Sequence, residues 1–265
     1  MTDAQAAEEE RANALARFDV ATRCFRDTGD EDYIAARLAY RARLVYPFLW
    51  SSLQAIEKYL KCILILNNIS THKLGHDIRA ALDLINTKAP FKITLNPLEQ
   101  KIFDHIASYG PDRYLVYSYF IYDRELLKLD MLVWHLRQYC RPLNVDITLE
   151  DAQKKNMLQL HLDGIDRNWN RPAKHGHIHG GKLERMLATK NHPSRAALVW
   201  KNMRYSSRHR PKVLFRNYTT AVNAPLWLRP DILPRIQSLV QLSKEDMKQY
   251  TLYWEKERAK KGKRS

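Results

Sequence analysis

The residues best equipped for chemistry crowd into one stretch of the C-terminal half, Arg204-Tyr205-Ser206-Ser207-Arg208-His209-Arg210, followed by Pro211 and Lys212. Arginine and lysine hold phosphate oxygens, arginine through a planar fork of donors, and a neighbouring tyrosine offers a face to a base. The stretch reads as a turn that binds phosphate, with Arg208, Arg210 and Lys212 among its ligands. Upstream, His175, His177 and His179 alternate, so an extended backbone projects all three to one side, a set able to hold zinc with an open position. Gly176, Gly180 and Gly181 favour a flexible loop instead, and no acid stands close by to orient the rings. No metal and no cofactor is expected.

A second group lies in the N-terminal half: Glu57, Lys58, Lys61, His76, Asp77, Tyr109 and Arg113 are polar residues in a largely apolar setting. One reading is structural, with Asp77 or Glu57 neutralising Arg113 and His76 capping its helix. The other is a pocket for the phosphate of a nucleotide or RNA. Lys58, Lys61 and Arg113 are then the ligands, and Tyr109 or Tyr114 is the stacking face. The glycine-rich phosphate loop, the dinucleotide-binding glycine pattern, paired carboxylates and the nucleophile elbow are all missing, so most common enzyme classes lose support.

The elements that position these residues are helices. Leu49, Leu53, Ile56, Leu60 and Ile63 recur at three–four spacing behind Pro47, which suits a first helical position. Glu57 and Lys61 stand four apart in the favourable order for an ion pair. Cys62 to Leu66 is apolar throughout, so this helix is buried on most of its circumference, with Gln54, Glu57, Lys58 and Lys61 on one accessible side. A helix is expected from Ala4 to Arg26, with Leu15, Phe18, Ala21, Cys24 and Phe25 at helical spacings, closed by Asp27-Thr28-Gly29-Asp30. A second runs from Tyr33 to Tyr46 and on into the Pro47 helix with a kink, and a third from Gly75 to Lys88. Asn96-Pro97-Leu98-Glu99 opens another with a cap, a proline and an acid at the third position. A further helix begins near Asp123 and carries Leu126, Leu129, Val133, Leu136 and Cys140. Tyr114 to Tyr122 is compatible with helix or strand. Thr148 to Asp151 caps a helix ending at Gly164, residues 164–182 read as loop, and Lys212 to Arg216 is the best strand candidate. Asp231 to Leu242 and Ser243 to Lys260 read as closing helices. The chain is therefore all-α.

Charge divides it. Residues 171–265 hold 22 lysines or arginines against 6 acids, a balance of +16, whereas residues 1–170 hold 22 against 23, a balance of −1. Such asymmetry suggests a polyanionic partner, nucleic acid before an anionic membrane, or else a solvated basic face. The three cysteines are far apart and sit in apolar helical patterns, as reduced core residues do. The acidic, alanine-rich start is unlike a signal peptide, and no apolar run approaches the roughly 20 residues a membrane span needs. A cytoplasmic protein without membrane contact is expected.

Ala55-Ile56-Glu57-Lys58-Tyr59-Leu60-Lys61, then Gly75-His76-Asp77-Ile78, then Arg113-Tyr114 after Tyr109-Gly110-Pro111-Asp112, resemble the HEPN family of small α-helical domains. The resemblance covers residues 10–141. It implies a HEPN-like helical bundle over 1–145; by composition and charge, a basic helical and loop extension follows at 146–259 and a disordered basic tail at 260–265. The resemblance implies RNA or nucleotide binding in a homodimer, in a bacterial defence or toxin–antitoxin-like system with an operon-encoded protein partner. The family also includes endoribonucleases that pair an arginine with a histidine separated from it by four to six intervening residues, without metal. Arginine stabilises charge on phosphoryl oxygens, and histidine moves protons at a ribose hydroxyl. Arg171 with His177, Arg185 with His192 and Arg204 with His209 fit that spacing, all beyond the resembling region. Arg204 and His209 are the favoured catalytic pair. Three readings stay open: RNA or nucleotide binding leads, metal-independent cleavage follows, and a non-enzymatic protein-interaction adaptor is third.

Overall fold

The computed structural model describes residues 3–111, 118–122, 124–141, 146–148, 154–168, 177–206, 212–214, 219–239, 242 and 244–262. Its order is α1 (Asp3–Asp19), a π-helical segment (Val20–Arg26), α2 (Asp27–Arg41), α3 (Val45–Leu66), α4 (Ile78–Lys88), α5 (Pro97–Tyr109), β1 (Tyr119–Tyr122) and α6 (Glu125–Gln138). Then come β2 (Asp146–Thr148), β3 (Lys154–Asn156), α7 (Met157–Asn168), α8 (Lys182–Ala188), α9 (Arg195–Val199) and β4 (Thr219–Val222). The chain closes with α10 (Pro225–Leu228), a 3₁₀ turn (Pro230–Ile232), α11 (Leu233–Ile236) and α12 (Lys244–Gly262). The all-α class holds, with two short antiparallel strand pairs among the described residues: Tyr119 opposite Val222 through Tyr122 opposite Thr219, and Asp146 opposite Asn156 through Thr148 opposite Lys154.

α3 is the central element and packs against the π segment, α2, α4, α5 and α6. Leu49, Leu53, Ile56, Leu60 and Ile63 are all fully buried, as their spacing predicts. Asn96 caps α5 by accepting from the amides of Leu98 (2.9 Å) and Glu99 (3.1 Å), and Glu99 Oε2 accepts from the Asn96 amide (3.1 Å). Leu126, Leu129, Val133 and Leu136 of α6 are buried, with Cys140 just past its end.

Several boundaries differ. Asp27 to Asp30 does not end the first helix, because the chain stays helical from Asp3 to Arg41. Gly29 serves close approach instead: a Cβ there would lie 3.2 Å from Tyr59 Cε1 and 3.4 Å from the Ala55 carbonyl, so its absence lets α2 lie tight against α3. Leu15 and Phe18, at helical spacing with the buried Ala21, are exposed, and so is Cys24, which was expected in the core. Periodicity finds a face without saying what covers it. α2 does not run into α3. It ends where Arg43 takes φ 61°, with Leu44 N donating to the Ala39 carbonyl (2.9 Å) and Arg43 N to that of Tyr40 (3.0 Å). This Schellman closure reverses the chain so that α3 packs back along α2, and Pro47 is the third residue of the helix, within its first turn. Asn68 (φ 58°) ends α3 in the same way.

The expected helix from Thr148 is instead β2, β3 and a later helix that runs through Gly164 to Asn168. Lys212 to Leu214 are irregular, residues 215–216 lie outside the described set, and the strand is Thr219–Val222, which finds β1 as its partner. Among the described residues, Asp231 to Leu242 yields the 3₁₀ turn and α11, where Pro230 and Pro234 limit helix length. α12 reaches Gly262, three residues into the expected tail. The principal core runs from Ala21 to Tyr205 and takes in Ile165, Leu183, Met186, Ala197 and Leu198 along with the N-terminal helices. A smaller core gathers Leu226, Leu233 and Tyr250.

Candidate functional site

On α3 the cationic residues stand next to acids. Glu57 is buried; Lys61 Nζ lies 2.6 Å from its Oε1, and His76 Nδ1 lies 2.8 Å from its Oε2. Lys61 also donates to the Gly75 carbonyl at 2.8 Å, and Lys58 Nζ is 2.6 Å from Asp32 Oδ2. Asp77, not His76, caps α4, accepting from the amides of Arg79 (2.9 Å) and Ala80 (3.0 Å). An anion reaching Lys58 or Lys61 competes with carboxylates already in place. Arg113 lies outside the described residues.

The deeper assembly joins distant parts of the chain. Arg137 on α6 donates from Nε and Nη2 to the two oxygens of Asp30 on α2, both at 2.8 Å. The same guanidinium reaches Glu184 on α8 at 2.6 and 2.8 Å and the Tyr205 hydroxyl at 3.1 Å. Tyr59 donates to Asp30 Oδ1 at 2.8 Å. Gly181 makes room for this cluster, since a Cβ there would sit 2.1 Å from Glu184 Oε2. Beside it, Arg37 pairs with Asp130 and donates to the Ala197 carbonyl (2.9 Å) and to the Trp200 carbonyl. Asn202 donates to the Tyr33 hydroxyl (3.0 Å) and accepts from the amides of Arg204 (2.8 Å) and Tyr205 (2.9 Å). Buried charges persist only when paired and hydrogen-bonded, and each of these is. Burial opposes ionisation of Glu184, yet Arg137 holds its carboxyl below the ordinary value. Burial pushes the Tyr205 hydroxyl well above the ordinary phenol value, so it stays neutral.

This frame presents an aromatic floor. The His177 ring stacks on Tyr205 (centroids 5.8 Å, planes at 12°), and Trp134 stands edge-on to both at 5.8 and 5.4 Å. The Arg204 guanidinium carbon lies 5.7 Å from the Trp134 ring centre. His177 also makes a hydrogen bond with the backbone of Arg204, and burial lowers its pKa, with the charge of Glu184 opposing. His177 is therefore a neutral imidazole at pH 7, and its Nε2 is buried without a hydrogen bond. Burial also lowers the Arg204 pKa, though a guanidinium remains charged at any working pH. An imidazole able to take a proton and a guanidinium able to hold an anion thus share one indole.

They come from different sequence pairs. Arg171, His175, Arg208, His209 and Arg210 lie outside the described residues, and Lys212 is exposed. Arg185 donates to the Gly180 carbonyl, and His192 Nδ1 accepts from the Ser194 amide at 3.1 Å. The roles of Arg137, Asp30 and Glu184 carried no sequence signal, because Arg137 lies 107 residues from Asp30 and 47 from Glu184.

A helical bundle around one buried central helix, with a polar network locking its second helix to its sixth, is the class of domain this geometry defines. Residues 23–132, in the N-terminal half of the chain, match the family model of the HEPN domain. The match is consistent with a nucleotide- or RNA-related function. No curated protein and no solved structure matches the chain. No described helix is long and apolar enough to cross a membrane.

Proposed function

We propose that the protein binds RNA or a nucleotide, as a homodimer in the cytoplasm, chiefly through phosphate contacts of its basic C-terminal residues. The observation that carries this is the placement of charge: +16 in residues 171–265 and −1 before them, on a chain with a HEPN domain. The ligands proposed are Arg204, Arg208, Arg210 and Lys212, with Lys58, Lys61 and Arg113 as a second set. Neutralised phosphates release counterions, so affinity for single-stranded RNA falls with salt by a log–log slope near 0.7 per contact. Replacing Arg204, Arg208, Arg210 and Lys212 together with alanine weakens binding and makes that slope shallower. An unaltered slope identifies the basic segment as a solvated face. An adaptor for an operon-encoded protein in a defence system is separated by competition, since RNA displaces a partner only from a shared surface.

A second reading, metal-independent endoribonuclease, is favoured by the meeting of Arg204 and His177 at Trp134. Arg204 stabilises phosphoryl charge in this reading, and His177 or the sequence-paired His209 moves the proton. Incubation with total RNA in EDTA tests it. Defined cuts, lost by two to four orders of magnitude in His177→Ala or His209→Ala with affinity retained, establish cleavage and name the histidine. RNA bound and left whole establishes binding alone.

A further inference from the structure

Helix α12 places Tyr250, Tyr253, Trp254 and Arg258 at spacings of three, one and four, which is one stripe of a helix. Tyr250 is spent on the small C-terminal core, where it is buried with Leu226 and Leu233. The others are not. Trp227, Tyr253 and Trp254 remain half-exposed and, with Arg229, Asp231 and Arg258, line an open cleft of about 470 Å³. Ligand pockets span about 300–1,000 Å³, so the space suits a small aromatic group with its substituents.

The side chains in the cleft are already ordered. Trp227 stands edge-on to Tyr253 at 4.6 Å and to Tyr250 at 5.5 Å. The Arg258 guanidinium carbon lies 5.2 Å from the Trp254 ring centre. Arg229 grips Asp231 through Nε (3.1 Å) and Nη2 (3.0 Å), a fork that leaves its Nη1 edge outside the pair. Aromatic area left open is costly in water unless something covers it, and arginines at its rim select an occupant that is flat and anionic.

We propose that this cleft binds a nucleobase carrying a phosphate, with Tyr253 and Trp254 as the stacking surface and Arg229 and Arg258 as the anion ligands. Neither the sequence motifs nor the HEPN match reaches it, since the match ends at residue 132. The site rests on the RNA- or nucleotide-binding reading above and gives it a contact with the base, not only with phosphate. The same chemistry is offered by an unpaired RNA strand and by a free mononucleotide.

The test uses the full chain, an oligouridylate octamer read by fluorescence anisotropy, and adenosine monophosphate read by calorimetry. Trp254→Leu keeps apolar bulk but removes the π face. It weakens octamer binding by about 5- to 150-fold, the range for losing one stacked base, and leaves the salt slope unchanged. Arg258→Gln, on the exposed rim, weakens binding and lowers the slope by about 0.7. A fully paired RNA duplex is bound equally by wild type and Trp254→Leu, because its bases are not free to stack. If adenosine monophosphate but not the octamer is bound, and Trp254→Leu loses it, the cleft stands with a free nucleotide as its ligand. If the wild type binds RNA and both variants bind the octamer and the nucleotide as wild type does, the cleft is overturned and the RNA reading survives. A wild-type chain that binds neither overturns both.

Discussion

Arg137 is the side chain on which most of the buried polar assembly depends: it answers Asp30, Glu184 and Tyr205 together. Removing one partner of a buried pair leaves the others charged in a low-dielectric setting, which costs about 3–5 kcal/mol. Arg137→Ala is expected to lose that much, seen as a lower denaturation midpoint, whereas a loss below about 1 kcal/mol marks the pair as solvated. His177 carries a pH signature. Burial depresses its folded pKa below that of the unfolded chain, ordinarily about 6.5, so the unfolded state binds the proton more readily. Its contribution is present above that pH and is lost as pH falls through about 6.5 toward the folded value. Denaturation of wild type and His177→Phe between pH 7.5 and about pH 5 checks the sign. The wild type is expected to lose stability relative to the variant on acidification, and parallel curves would refute the shift.

Among the elements, α3 was the most legible. Its stripe of Leu53, Ile56, Leu60 and Ile63 is buried as the three–four spacing requires. Leu60→Ala is expected to cost about 2–5 kcal/mol, the range for emptying a core leucine site, and an unchanged melting midpoint would mean the stripe does not pack. The cap of α5 was equally readable, because an N-cap acts within four residues. Less legible were ends made by non-glycine residues in left-handed conformation, Arg43 and Asn68, since propensity reserves that place for glycine. β4 was missed because a four-residue strand is decided by its partner, and β1 lies about a hundred residues away.

At the scale of the molecule, residues 183–205 join the same core as the N-terminal helices, through Leu183, Met186, Ala197, Leu198 and Tyr205. The basic residues within this stretch are thus held on a packed frame, not on a loose tail. Apolar surface remains outside it: Leu15, Phe18 and Val20 at the N-terminal end, and Tyr122 on β1. Faces of this kind favour pairing of like chains about a two-fold axis. Light scattering at micromolar concentration is expected to report a homodimer, and a monomer would remove any site shared between subunits.

Local chemistry was determined by sequence alone: that the segments before Gly110 are chiefly helices, which face of α3 is apolar, where α5 begins, and where the positive charge accumulates. These follow from interactions spanning a few residues or from composition, so the linear order contains them. Tertiary structure alone decided that Arg204 meets His177 at Trp134, that Arg137 holds α2 to α8, and that Trp227 faces Tyr253. Each joins residues from separate elements of the chain. Their proximity is set by how buried faces pack, which no spacing rule encodes.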